Sequence, residues 1–412
     1  MNTSVRPSPA TTSPVLKAAW DKYLATLDQI RADIEASQQF DFAPDQRGLA
    51  YRQLMQIQAM AYNFAVGPRP IEPRAFHNTG WQTEFYSIGG NGPDFDYRVL
   101  FLDGGHTYRL TGQLNDAKMT VTQVNSATPG QPQSRCLANY DFANFEVKPD
   151  TSFEIILSAK KHDGNWMELL PDADYHWMMI RPTLETWDAK PPEFQIERIS
   201  PRRAGDVEVD EFSEAALARR IELATSFARY AMTDWSIGYT QLVLRNAGGF
   251  NKFTNFNTVE AGELGSPAAQ YYQCVYQVND DEALIIELDD MPNGEYWSFQ
   301  LFDLWQNSHF FRTRQSALNL RQIERDADGK YRIVLSRQDP GIANWLDNAG
   351  FNHGQVLWRN YKSKQNTEHR VHRVKFNELS KHLASGVRRV SPEERVRAIA
   401  ERRNAYRRRH GE

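Results

Sequence analysis

Cysteine is nearly missing: Cys136 and Cys274 are the two in 412 residues, too few and too far apart in sequence for a disulfide scaffold or a thiolate zinc site. Long apolar runs are missing too. No stretch approaches the length that crosses a bilayer, and the opening MNTSVRPSPATTSP has no apolar segment of signal-peptide length. The expected address is cytoplasmic, with no membrane partner. Neither sign of charge is in excess, since 48 Lys and Arg face 52 Asp and Glu for a formal charge of -4, and net charge therefore names no partner. The chain has no phosphate-cradling glycine loop and no Gly-x-Ser-x-Gly elbow, which takes weight from nucleotide-dependent chemistry and serine hydrolysis. No cofactor is expected.

Aromatic residues, by contrast, make up 12% of the chain and include ten Trp, which suits a sandwich core or a site that stacks on rings. After a leader over 1–14, Leu16, Trp20, Tyr23, Leu27, Ile30 and Ile34 recur at helical spacing. A second helical pattern from Asp45 to Phe64 stops before the breaker Gly67-Pro68-Arg69-Pro70. These predict a helical pair over 15–70.

From Tyr97 the texture changes to short apolar runs bounded by Gly, Asp, Asn and Pro, with strands expected at Ser152–Ser158, Tyr175–Arg181 and Glu193–Ile199. A charged linker, SPRRAGDVEVDE, leads to a helix over Ser213–Met232 and a loop, GGFNKFTNFNT. A second β block follows. FEIILS at 153 to 158 matches YRIVLS at 331 to 336, Asn165-Trp166 matches Asn344-Trp345, and the strand ending at Arg181 matches the one ending at Arg359. These spacings agree to within one residue, which argues for two copies of one unit. LDGGHTYRLTGQL and LDDMPNGEYWSFQLF extend the likeness upstream. The expected fold is mainly β with helical additions (α+β): two related antiparallel β-sandwich domains at 71–200 and 271–380, joined by a linker and helix over 201–270. A C-terminal helix over 381–412 has capping-box spacing at Ser391 and Glu394. Nine Arg lie between Arg388 and Arg409 against three acidic residues, a basic stretch more often solvated or docked than bound to RNA, and no nucleic-acid partner is expected.

The order strand with aromatic pair, Asp-Gly turn, strand, Asn-Trp-Leu and strand ending Arg-x-Tyr, seen in NGEYWSFQLFDLWQNSHFFRTRQ, DGKYRIVLSRQDPGIANWLDNAG and VLWRNY, resembles bacterial proteins carrying the domain of unknown function 1214. The resemblance implies a β-rich architecture and assigns no chemistry. One departure is Lys362, which follows Tyr361 where a Pro-containing ending is usual.

If the strand pattern runs from Glu295 to His309, alternation puts Trp297, Asp303, Trp305 and His309 on one face. Asp303 would then be a carboxyl in an aromatic stripe, whose pKa burial would raise into the range of a general acid; capping a turn or pairing with an Arg is the more ordinary role. On the strand from Tyr175, Trp177 and Arg181 share a face, and Arg359 occupies the equivalent place in the second copy. Such arginines can take a carboxylate or phosphate, although a residue kept in both copies is more often an architectural ion pair. The Asn-Trp pairs read first as loop anchors, with Trp345 as a stacking surface in the ligand reading. His369 and His372 point to opposite faces of a strand, so no metal is expected.

The leading expectation is an enzyme of small-molecule catabolism acting on an apolar, ring-bearing substrate (steroid, terpenoid or aromatic) by lyase, hydratase or hydrolase chemistry. Its acid-base candidates are Asp303, His309 and His176. Its pocket candidates are Trp297, Trp305, Trp345, Arg359, Tyr361, Trp177 and Arg181. The alternative is a non-catalytic carbohydrate- or lipid-binding sandwich, and the partners allowed are a small-molecule ligand and a second copy of the chain as a homodimer.

Overall fold

The computed structural model describes residues 13–77, 90–173, 175–201, 211–256, 265–290 and 292–410. The leader, apart from Ser13 and Pro14, and most of the charged linker lie outside the described residues.

Helix α1 (Pro14–Glu35) starts where the Ser13 hydroxyl accepts from Leu16 N at 3.3 Å with Pro14 in the first turn, an arrangement that satisfies an otherwise orphaned donor. A short α2 (Gln38–Phe42) precedes α3 (Arg47–Ala61), which passes into a π-helical turn, Tyr62–Val66. Ser213 caps α4 (Glu214–Arg229). The expected stop at Met232 is not observed. The chain stays helical through a ten-residue π segment, Tyr230–Tyr239, and α5 (Thr240–Ala247), because its next residues are buried between the two β blocks rather than released to solvent.

The first block holds β1 (Phe76–His77), β2 (Arg98–Leu102), β3 (Tyr108–Gln113), β4 (Met119–Asn125), β5 (Cys136–Asp141), β6 (Ser152–Ser158), β7 (Trp166–Glu168), β8 (His176–Thr183) and β9 (Glu193–Arg198). The second holds β10 (Thr254–Phe256), β11 (Ala269–Gln277), β12 (Glu282–Leu288), β13 (Tyr296–Phe302), β14 (Ala317–Asn319), β15 (Tyr331–Ser336), β16 (Trp345–Asp347), β17 (His353–Tyr361) and β18 (Arg370–Lys375). The first forms sheets ordered β1-β2-β8-β4-β5 and β7-β6-β3-β9; the second forms β10-β11-β17-β13-β14 and β16-β15-β12-β18. Strand for strand, the two orders are the same.

Several sequence expectations need correction. The sandwiches are not wholly antiparallel, because β6 pairs with β7 and β15 with β16 in parallel. Part of the expected loop GGFNKFTNFNT is edge strand β10, so the second sandwich begins before 271. By strand order the counterpart of the β2–β3 connection is β11–β12, so likening LDGGHTYRLTGQL to LDDMPNGEYWSFQLF was one strand out of step. Both of those connections cross between the sheets of a sandwich, which makes them look alike.

Each sandwich has its own interior, with Leu100, Leu110, Ile155 and Ile180 in the first and Leu284, Trp297, Phe299 and Trp358 in the second. A third core lies between the blocks. There Val99, Phe101, Trp177 and Met179 from one five-stranded sheet meet the helices and Tyr271, Val275, Leu357 and Tyr361 from the other. The five-stranded sheets are thus covered on both faces, and β4 and β8 are buried along their whole length. The fold is α+β. No helix among the described residues is long and apolar enough to cross a membrane.

Helix α6 (Pro392–His410) begins with the expected capping box: Ser391 N donates to Glu394 Oε2 at 2.8 Å and Glu394 N to Ser391 Oγ at 3.2 Å. Its basic face is not simply solvated. Arg402 is buried, donating to the carbonyls of Arg314 at 2.7 Å and Ala317 at 3.0 Å in the second block, while Tyr406 donates to the carbonyl of Pro93 in the first.

Candidate functional site

The strand period of two sets the site. On β8, Trp177, Met179 and Arg181 point away from the interior of the first sandwich, into the space between blocks. Arg98 pairs with Ile180 across β2 and β8, so Tyr97, one residue earlier, comes opposite Arg181. On β17, Arg359 lies directly opposite Tyr271 of β11. Each tyrosine hydroxyl accepts from a backbone N–H five residues upstream, Tyr97 from Gly92 at 3.2 Å and Tyr271 from Ser266 at 2.9 Å.

A glutamine completes each pair. Arg181 Nη2 donates to Gln123 Oε1 at 2.9 Å, and Arg359 Nη1 to Gln300 Oε1 at 2.6 Å. Gln123 of β4 pairs with Met179 as Gln300 of β13 pairs with Leu357, so the glutamines hold equivalent places in the two sheets. Gln300 presents oxygen because its nitrogen is committed to Asn91 O and Ser308 Oγ. Arg359 also donates to the Gly90 carbonyl, with its guanidinium 5.8 Å from the ring centre of Phe95 and 6.0 Å from that of Phe302.

Tyr97, Arg181, Tyr271, Arg359 and Tyr361 line one cavity between the blocks, with about 40 Å³ open to the centre of a water molecule, room for about three waters. Met179, Leu357 and the stacked pair Trp235 and Tyr239 (ring centres 4.8 Å apart, planes at 14°) supply apolar wall. The π segment brings this pair there, one of the places where such irregular helix is found at sites. Trp235 Nε1 is buried with no acceptor among the described residues.

The electrostatics favour negative charge inside. Arg359 is 4% exposed and among the described residues no carboxylate pairs with it, so its desolvation is offset by neutral partners only. The expected architectural ion pair is therefore not what holds Arg359. Burial pushes the phenols of Tyr97 and Tyr361 upward, against the pull of Arg181 and Arg359, which keeps both protonated as donors at neutral pH. None of the described lining residues is acidic.

Of the residues singled out from sequence, Arg181, Arg359 and Tyr361 meet in this cavity; the others lie elsewhere. The strand expected through His309 ends at Phe302, because Asp303 closes a turn. Its Oδ1 accepts from Trp305 N at 2.8 Å and Asn307 N at 2.9 Å, and its Oδ2 from Asn307 Nδ2 at 2.9 Å. Burial raises its pKa to about 6 against those bonds. The turn holds Gln306 at φ 68° and sets it in the cavity wall, so Asp303 stands one turn behind the site. Burial lowers the His309 pKa to about 3, with its ring 5.0 Å from that of Phe351. His176 bonds Asn125 O at 2.9 Å and Leu170 N at 3.0 Å.

Trp177 packs on Phe64 in the central core, and Trp297 on Tyr331 inside the second sandwich. Trp305 Nε1 donates to Gln46 O at 3.2 Å. Trp345 Nε1 donates to Ser336 O at 3.2 Å and Oγ at 3.1 Å, the bonds Trp166 makes to Ser158 at the same distances. The guanidinium of Arg395 covers the Trp345 ring at 5.0 Å. Among the described residues there is no group of three or more His, Cys, Asp or Glu that could hold a metal.

Sequence reasoning missed Tyr97, Tyr271, Gln123, Gln300 and Gln306. The first four become visible only once the arginine strands are paired with their neighbours in register.

Residues 277–365 match the family model of a protein of unknown function, DUF1214. The matched span, from the end of β11 past Tyr361, holds Gln300, Gln306 and Arg359; Tyr271 and the whole first block lie outside it. Lys362, the departure from the family's usual ending, has φ 56°, a conformation closed to proline. A crystal structure of an uncharacterised protein from Burkholderia cenocepacia has the same fold, with 24% identity, TM-score 0.78 and coverage of 89% of this chain and 99% of that one. The VPA0106 protein from Vibrio parahaemolyticus is a more distant likeness, with 12% identity, TM-score 0.44 and coverage of 79% and 98%. No curated protein matches the chain.

Proposed function

We propose that this protein binds a small organic acid in the cavity between two copies of one sandwich unit. The observation that carries the reading is Arg359: a buried guanidinium facing a cavity, held from behind by the Gln300 carboxamide and the Gly90 carbonyl rather than by a carboxylate. A carboxylate ligand would meet Arg359, Arg181 and protonated tyrosines at one end and the apolar wall of Trp235, Tyr239, Met179 and Leu357 at the other. That wall suits the apolar or ring-bearing body expected from sequence.

Binding is favoured over acid-base catalysis because Asp303, His309 and His176 are outside the described wall and engaged in local structure. Carbohydrate stacking on Trp297 or Trp345 has less support, since both rings are buried in the second block. The test is calorimetric titration of the full chain with small aliphatic and aromatic carboxylic acids and with their uncharged amides. Acids should bind, amides should not, and Arg359→Gln should abolish binding. Equal binding of acid and amide would refute the reading.

A further inference from the structure

The site is duplicated in its chemistry. Tyr97, Arg181 and Gln123 from the first block, and Tyr271, Arg359 and Gln300 from the second, occupy equivalent places in sheets of the same strand order, and both arginines and both tyrosines face one cavity. In each set the cross-strand tyrosine is anchored by a backbone N–H five residues upstream and the arginine by a glutamine oxygen. The glutamine fixes the guanidinium without neutralising it, so each set is built as an acid-group receiver.

We infer that the ligand carries two acid groups, one for each Tyr-Arg-Gln set, and that it is a short dicarboxylate lying between the blocks. This rests on the organic-acid reading above and narrows it. A monocarboxylate would leave one buried guanidinium facing the cavity without an anion, at a desolvation cost that a second carboxylate offsets. The size of the cavity, about 40 Å³ open to the centre of a water, favours a compact ligand over a long one.

The experiment is calorimetric titration of the full chain, at fixed ionic strength, with malonate and succinate, the monocarboxylates propionate and butyrate, and inorganic phosphate. It is repeated on Arg181→Gln and Arg359→Gln, and on Arg181→Lys and Arg359→Lys as variants that keep the charge should the glutamine forms fail to fold. A dicarboxylate should bind at least about tenfold more tightly than its monocarboxylate counterpart, close to 1.4 kcal/mol. Each glutamine variant should erase that advantage while leaving weak monocarboxylate binding, and the lysine variants should keep part of it.

Equal, arginine-dependent binding of mono- and dicarboxylates would overturn the two-acid inference and leave the organic-acid reading standing. So would phosphate binding more tightly than either dicarboxylate in a way that needs both arginines. Absence of arginine-dependent binding by every carboxylate would overturn both.

Discussion

Tyr271 stands directly across the β11–β17 ladder from Arg359, its hydroxyl accepting from Ser266 N at 2.9 Å and its own hydrogen left to donate. Tyr271→Phe removes one donor to an anion while keeping the ring in the central core. Carboxylate affinity should fall by about fivefold, near 1 kcal/mol, read by calorimetry against the parent protein. An unchanged affinity would remove this hydroxyl from the site.

Asp303 gives a pH prediction. Its folded-state pKa is about 6, against about 3.9 for an unfolded aspartate. A raised folded value means the native state holds the proton more tightly, so the stability from this group is complete below the unfolded value and is lost as pH rises through the folded value. The loss spans about pH 4 to 6 and is on the order of 3 kcal/mol. Asp303→Asn should be less stable overall because it loses acceptors, but its unfolding free energy should lack that fall. Parallel pH profiles for the two proteins would contradict the assignment.

Asn344 and Asn165 make the same bonds in different surroundings. Asn344 Nδ2 donates to Glu324 O at 2.7 Å and Arg332 O at 3.0 Å while its Oδ1 accepts from Glu324 N at 2.8 Å. Asn165 does the same with Glu146 and Glu154, in an exposed loop. Because water replaces the lost bonds only at the exposed position, Asn344→Ala should cost about 2–3 kcal/mol and Asn165→Ala about 1 kcal/mol. Denaturant unfolding of the two variants measures the difference, and equal costs would argue against burial as its cause.

Arg402 couples the C-terminal helix to both blocks, bonding carbonyls of the second while its guanidinium lies 5.0 Å from the ring centre of Trp187 in the first. Arg402→Ala strands those carbonyls and should cost about 3 kcal/mol. Arg402→Lys keeps a charge but cannot reach the carbonyls as a planar fork and should recover only part of the loss. Thermal unfolding of the three proteins orders them, and equal melting temperatures would show that the helix docks without this residue.

The twofold arrangement of strands was legible because apolar alternation, an Asn-Trp anchor and an arginine-ended strand recur with the same bonds wherever a sandwich must close its sheets. The face shared by Trp177 and Arg181 was legible for the same reason, since a strand's period is fixed. The end of β13 was not. Asp303 continues an alternating pattern on paper, yet its carboxylate captures two backbone N–H groups and turns the chain. That competition between side-chain and ladder hydrogen bonds is invisible to periodicity. The long helical run through Tyr239 was also hidden, because burial between the blocks rather than helix propensity sustains it.

What the sequence determined alone is therefore local: which residues alternate, which cap, and which two arginines end matching strands. That these arginines face one another's block, with Tyr97 and Tyr271 beside them and glutamines instead of carboxylates behind them, was decided only by tertiary structure. Cross-strand register and the burial of both five-stranded sheets bring together side chains far apart in the chain, and the pairing of distant strands is set by the cores they close rather than by the residues' own spacing.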